Sequence, residues 1–267
     1  MQSIFTWAPF TILLVFVACG LLSVSIGLLA LRYFSYQLQR KPASMPVAAF
    51  IGTVATAWAL ALGFAAADVW SVNSDASHAA SAERSSLSRL EGMAAKDALN
   101  SAELHDAIKA YRVSVSEVEW TKQRNVNPAV EVERALQKMR VALLKLAESK
   151  VPYPIVSQLV QDFDELQDAR NDRLALGNSS INNYKWYLVL CLTLITTIVL
   201  ASTHADRPRA GVQAMLIYTF TAVICMWILA LHVHPYAGAG GLNAHVLEPR
   251  VSQEMHYQLM MKEASNS

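Results

Sequence analysis

The chain has 267 residues, of which 54% are hydrophobic and 16% charged, where an ordinary soluble domain carries about a quarter charged residues. Residues 1–31, 42–67, 186–203 and 210–247 contain no Asp, Glu, Lys or Arg, and most of the charge sits in 68–185; this excludes a single water-soluble globule and describes a membrane protein with one polar region. A formal net charge of +1 lacks the basic field that nucleic acid requires, so no nucleic-acid partner is expected.

The first predicted span covers 9–31. The N-terminus lacks a basic segment, and the apolar run 4–31 is longer than a signal-peptide core, so this span is read as retained. The second span covers 47–67, the third 186–203 and the fourth 211–233, each near the roughly 20 residues that cross a bilayer as a helix. Trp7, Tyr33, Tyr36, Trp70, Tyr184, Trp186 and Tyr187 fall near the span ends, where aromatic rings favour the headgroup layer. Cys19, Cys191 and Cys225 all lie in apolar segments, so no disulfide staples the polar region.

Orientation follows from the short loops. Arg32, Arg40 and Lys41 sit between spans one and two, and Arg207 and Arg209 outweigh Asp206 between spans three and four. Positive-inside bias places both loops in the cytoplasm, with the polar region and both termini on the other side of the membrane. The expected organisation is a helix pair in 1–70, an extramembrane helical bundle in 71–183, a second pair in 184–235 and a polar tail in 236–267.

The polar region reads as helices. A first helix, 75–99, continues from the second span. Leu104, Ile108, Tyr111, Val115 and Val118 line one face of the next, with Asn100 and Glu103 as its cap. Asn127-Pro128 opens another, striped by Val132, Leu136, Met139, Leu143 and Leu146. After Pro152 and Pro154 comes a helix striped by Leu159, Phe163 and Leu166, with Gly177 as its stop. Narrow stripes of this kind need partners, so the fold class is all-α: two pairs of transmembrane helices with an antiparallel helical bundle inserted between spans two and three.

No phosphate-binding loop, HExxH or nucleophile turn is present, so no catalytic residue and no cofactor is assigned. His232 and His234 lack a carboxylate or thiol to complete a ligand set, and no metal is assigned either. The spans hold no mid-membrane charge of the type that proton-coupled transporters use. Thr53 and Thr56 in the second span, and Thr193, Thr196 and Thr197 in the third, are the candidate pore lining; such residues more commonly bond to their own backbone or join helices. Arg170 and Arg173, alternating with Asp168 and Asp172, read as a solvated or salt-bridged face, and Glu119-Trp120 as an exposed acid beside an aromatic anchor.

The stretch 107–120, with Tyr111 and Glu119-Trp120, and the run Arg170-Asn171-Asp172-Arg173-Leu174 together resemble the bacterial family of bestrophin-like domain proteins. The end of the fourth span, His234-Pro235-Tyr236-Ala237-Gly238, resembles that family's turn of an acid or Asn, then Pro, an aromatic, one residue and Gly; here His234 stands at the first place. The layout of two spans, helical insert and two spans also matches. The resemblance implies kinship with bestrophins: pentameric, calcium-gated anion channels with an apolar pore neck and a cytoplasmic helical region. The acidic cluster that binds calcium after the bestrophin turn is missing. The resulting expectation is a homo-oligomeric ion channel in the lipid bilayer. The alternative is a non-conducting sensor or scaffold whose helical region binds a ligand or an envelope protein.

Overall fold

The computed structural model describes residues 8–40, 48–178, 183–237 and 240–248, and among these the structure is helical, with no strand. In chain order the helices are α1 (Pro9–Arg40), α2 (Ala48–Ala94), α3 (Ala102–Ser114), a π-helical turn (Val115–Trp120), α4 (Val130–Glu148), α5 (Tyr153–Asn178), α6 (Asn183–Thr203), α7 (Pro208–Leu231) and a 3-10 turn (Ala244–Leu247). Parts of α1, α2, α6 and α7 are long and apolar enough to cross a membrane, as the charge-free runs predict. The helix predicted at 75–99 is the continuation of α2, which runs unbroken to Ala94.

Two compact units form: Met1–Ser74 with Ser179–Gly241, and Asp75–Asn178 with Leu242–Ser267. In the first, α1, α6 and α7 pack against one another. A Cβ on Gly27 would lie 2.6 Å from Thr197 Cγ2 and 2.7 Å from Met215 Sδ, so the missing side chain is what lets α1 come this close, as small residues do in membrane helices. α2 joins through side chains: Ala61, Ala65 and Val69 share a core with Ile12, Phe16, Trp186 and Met226. The Trp58 indole donates to Thr193 Oγ1 at 2.9 Å, and Asn73 Nδ2 donates to the carbonyl of His232 at 2.7 Å.

In the second unit, α3 packs on α4 and α4 on α5. The predicted boundaries shift in three places. Ser101, not Asn100, caps α3, accepting from Leu104 N, because Asn100 has φ 49° and turns the chain beforehand. α4 starts at Val130, two residues after Pro128, since the Ala129 N–H is held by the Glu119 carboxylate at 3.0 Å. Gly177 does not stop α5, which continues to Asn178; a Cβ there would lie 2.0 Å from the Asn125 carbonyl oxygen, so this glycine serves a close backbone approach. The predicted tail beyond Glu248 lies outside the described residues.

Candidate functional site

The second unit contains a buried set of charges that draws on every one of its long segments. Extending the apolar stripe of α5 from Leu159, Phe163 and Leu166 by helical spacing lands on Arg170 and Arg173. Both are buried, at 4% and 0% exposure, while Asp168 and Asp172 point outward. The expected solvated face is therefore split: the acids are wet and the arginines are dry. Glu119 is also fully buried, which corrects its reading as an exposed acid.

Arg173 donates from Nε to Glu83 Oε2 at 2.5 Å, from Nη2 to Glu83 Oε1 at 3.2 Å and from Nη2 to Glu119 Oε2 at 2.8 Å. Its Nη1 donates to Asn125 Oδ1, and its guanidinium carbon lies 5.4 Å from the Trp120 ring centroid. Arg170 donates from Nη2 to Glu119 Oε1 at 2.5 Å and from Nη1 to Glu133 Oε1 at 2.8 Å. The Tyr111 hydroxyl donates to Glu83 Oε1 at 2.7 Å. Two buried arginines thus face two buried glutamates, Glu83 and Glu119, and the set is neutral, which is the condition under which charges can remain in a dry interior.

The electrostatics agree with that pairing. Burial favours the neutral acid at Glu119, but the Arg170 hydrogen bond, the Arg173 charge and the Ala129 N–H outweigh it and hold the carboxyl below its ordinary range. Burial and the Glu83 charge push the Tyr111 hydroxyl well above the usual tyrosine value. Both arginines are held in the charged form by their glutamates against the opposing effect of burial.

Local backbone makes this geometry. The π-helical turn widens the helix after Ser114, and Asn125 N–H reaches back to the Glu119 carbonyl at 2.6 Å. Arg124 and Asn125 then take left-handed conformations, φ 52° and 55°, which asparagine tolerates better than most residues. Trp120 donates from its indole to the Leu242 carbonyl at 2.9 Å. The Glu83 and Glu119 carboxylates, both guanidinium groups and the Tyr111 hydroxyl each bond to another member of the set, so the arrangement can clamp helices but offers no free nucleophile.

The structure thus gathers Tyr111, Glu119, Trp120, Arg170 and Arg173 in one cluster. It adds Glu83, Asn125 and Glu133, which the sequence reading missed. Glu83 had a signal: with Ala76, Ala79, Ala80, Leu87 and Leu90, all buried, it keeps helical spacing along one face of α2.

The other candidates lie in the first unit. Thr193, Thr196 and Thr197 are buried and bond back to the carbonyls of Val189, Leu192 and Thr193, whereas Thr53 and Thr56 are exposed on α2. Past the end of α7, Pro235 and Tyr236 are buried and His234 is half-buried; Gly238 lies outside the described residues. The His232 ring stacks on Trp70, centroids 6.5 Å apart. Among the described residues no group of three or more His, Cys, Asp or Glu is placed to hold a metal.

A sequence model of the Bestrophin-like domain matches residues 15–245. No curated protein matches the chain. Solved structures do. A bacterial bestrophin homolog from Klebsiella pneumoniae carrying a Trp-to-Ala mutation superposes with a TM-score of 0.68 at 15% identity, covering 88% of this chain and 93% of its own. The same homolog phased on zinc gives a TM-score of 0.64 at 16% identity, covering 86% and 93%. A third, described as a membrane protein with a Pro-to-Ala mutation, gives 0.66 at 15%, covering 87% and 94%. At these identities the likeness concerns the fold.

Proposed function

Because the chain belongs to the bestrophin-like domain family and is a membrane protein, we propose that it assembles as a ring of identical subunits that conducts ions, with anions as the first class to test. The observation that carries this reading is α2. Only 6% of its apolar window is buried, against 28–44% for the other three spans, and Phe50, Leu60 and Phe64 are exposed along it. One subunit offers this helix few partners; a ring of subunits supplies them and brings copies of α2 around an axis, where exposed Thr53 and Thr56 would meet the lumen. Four spans in one chain do not enclose a pore, so the reading requires an oligomer.

The deciding experiment is the detergent-corrected mass of the purified protein, followed by halide flux into liposomes. A ring of four or more subunits with flux that Phe64→Ala or Thr56→Ala alters supports the channel. A monomer or dimer, or a ring without flux, overturns it.

The second reading, a sensor or scaffold, is favoured by a groove of about 400 Å³ between α3 and α4, lined by Glu103, Asp106, Gln137 and Lys138. Specific crosslinks from this groove to an envelope protein would support it. In the helical unit, the antiparallel bundle inserted between spans two and three stays part of this reading, as do the sequence-derived domain limits. For orientation in the inner membrane, the charges of the two short loops argue for a non-cytoplasmic helical unit and termini, while the bestrophin resemblance argues for a cytoplasmic one. Tyr153 is 82% exposed, so labelling Tyr153→Cys on intact cells with a membrane-impermeant maleimide decides: modification supports the first arrangement, protection the second.

A further inference from the structure

Within the membrane unit, α1 changes character at Arg32, the first charged residue of the chain. An open groove of about 350 Å³ lies there between α1 and the start of α7, lined by Leu28, Leu31, Arg32, Ser35, Tyr36 and Pro208. Two contacts build it. A Cβ on Gly211 would lie 3.3 Å from Leu31 Cδ1, so α7 starts close against α1. Ser35 Oγ donates to the Ala205 carbonyl at 2.7 Å, which ties α1 to the turn ahead of α7. The lining has two characters. Leu28 and Leu31 close the charge-free run 1–31, and the run 210–247 opens just past Pro208, so the groove straddles the level at which hydrocarbon gives way to headgroups. On its polar side Arg32 is exposed, and among the described residues it forms no ion pair. Arg207 and Arg209 flank Pro208, and Asp206 lies 3.5 Å from Arg207. The loops 32–46 and 204–210 together set Arg32, Arg40, Lys41, Arg207 and Arg209 against Asp206 as their one acid.

We propose that this groove binds one anionic phospholipid, its phosphate paired with the Arg32 guanidinium and an acyl chain laid along Leu28 and Leu31. A guanidinium meets phosphate oxygens through two parallel N–H groups, which fixes orientation as well as charge. The surplus of cations selects the headgroup class: a zwitterionic lipid would carry its own cation into a basic face, and an anionic one does not. The leucines select a lipid over free phosphate. A bare anion loses hydration against an apolar wall, whereas a phospholipid at this depth already has its chain in hydrocarbon and brings only the phosphate to Arg32. The site lies in the leaflet of the two short loops, whichever way the chain is inserted. It stands whether or not the protein conducts ions.

The full chain, purified in detergent, is titrated with phosphatidylglycerol or phosphatidylcholine carrying identical acyl chains, and bound lipid is counted by native mass spectrometry. Phosphatidylglycerol is expected to fill the first site on each subunit at about fivefold lower concentration, the effect of one basic side chain on one anionic headgroup. Arg32→Gln should erase that preference. Leu28→Trp, which narrows the groove at constant charge, should weaken phosphatidylglycerol binding. Arg209→Gln removes a charge from the same face outside the lining and should cost less than Arg32→Gln. A wild type without the preference, a preference that survives in Arg32→Gln, or unchanged binding in Leu28→Trp overturns the proposal. So does a loss in Arg209→Gln equal to that in Arg32→Gln, which would mean a diffuse basic surface, or displacement of the lipid by equimolar inorganic phosphate, which would mean a site for the anion alone. Should Arg32→Gln fail to fold, Leu28→Trp and Arg209→Gln decide: weakened binding in the first with the preference kept in the second supports the groove, and the reverse overturns it.

Discussion

The two units are made of long helices held by different means. Around Gly27 in the membrane unit, helices meet because a side chain is missing, and the hydroxyls of Thr193, Thr196 and Thr197 turn back on their own helix. The helical unit instead closes on Glu83, Glu119, Arg170 and Arg173, four charges 0–4% exposed. In lipid the hydrophobic effect does not drive helices together, so shape has to select the partners. In water any apolar face will collapse onto another, and buried charges that must be paired restrict which faces meet. The first unit is specified by size, the second by charge.

Breaking the charge side should have the largest effect. Arg173→Met leaves Glu83 and Glu119 facing each other in a dry interior, and loss of one partner of a buried pair costs about 3–5 kcal/mol. Hydrogen exchange is expected to show lost protection in peptides from 75–178, while those from 8–37 and 184–231 keep theirs. Acid should act on the same contacts. The Glu119 carboxyl titrates below its ordinary value in the folded chain, so its contribution is complete above that ordinary value and disappears as pH falls through the lowered one. Protection factors across 75–178, taken against the intrinsic exchange rate at each pH from 6 down to 3, are expected to fall as pH falls; flat protection would mean the cluster does not hold the unit. Gly177→Ala places a methyl against the Asn125 backbone, and overpacking of this kind costs about 1–3 kcal/mol; thermal unfolding of the variant should register it, again through the helical unit. The smallest change belongs to the membrane unit. Trp58→Phe removes the bond to Thr193, and interhelical bonds of this type in lipid average about 0.6 kcal/mol. A loss at Trp58 as large as that at Arg173 would erase the contrast between the units.

What the sequence disclosed follows the same division. Charge-free runs mark all four spans, because a bilayer tolerates little else over that length. The cluster was half legible. Arg170 and Arg173 extend the stripe of Leu159, Phe163 and Leu166, but a charged residue on an apolar stripe is ordinarily taken as its end, since burial depends on partners far along the chain. Those partners, Glu83 and Glu119, lie 90 and 54 residues before Arg173, beyond any local pattern. Asn125 was hidden for another reason: its role rests on a left-handed backbone after a π-helical turn, and neither leaves a periodic mark. Tyr111 was legible as a core position from its place on the stripe of α3, but its role as a partner of Glu83 was not, and only family likeness marked Glu119 and Trp120 as site residues.

The separation of Glu83 and Arg173 also bears on biosynthesis. A ribosome adds roughly 5–20 residues per second, so the 90 residues between them take on the order of 5–18 s to make. Throughout that interval α2 has emerged with a carboxylate on its small-residue face and no cation to meet it. The nascent helical segment therefore waits, hydrated and undocked, until α5 arrives, and a chain released before residue 173 lacks the charge that closes it.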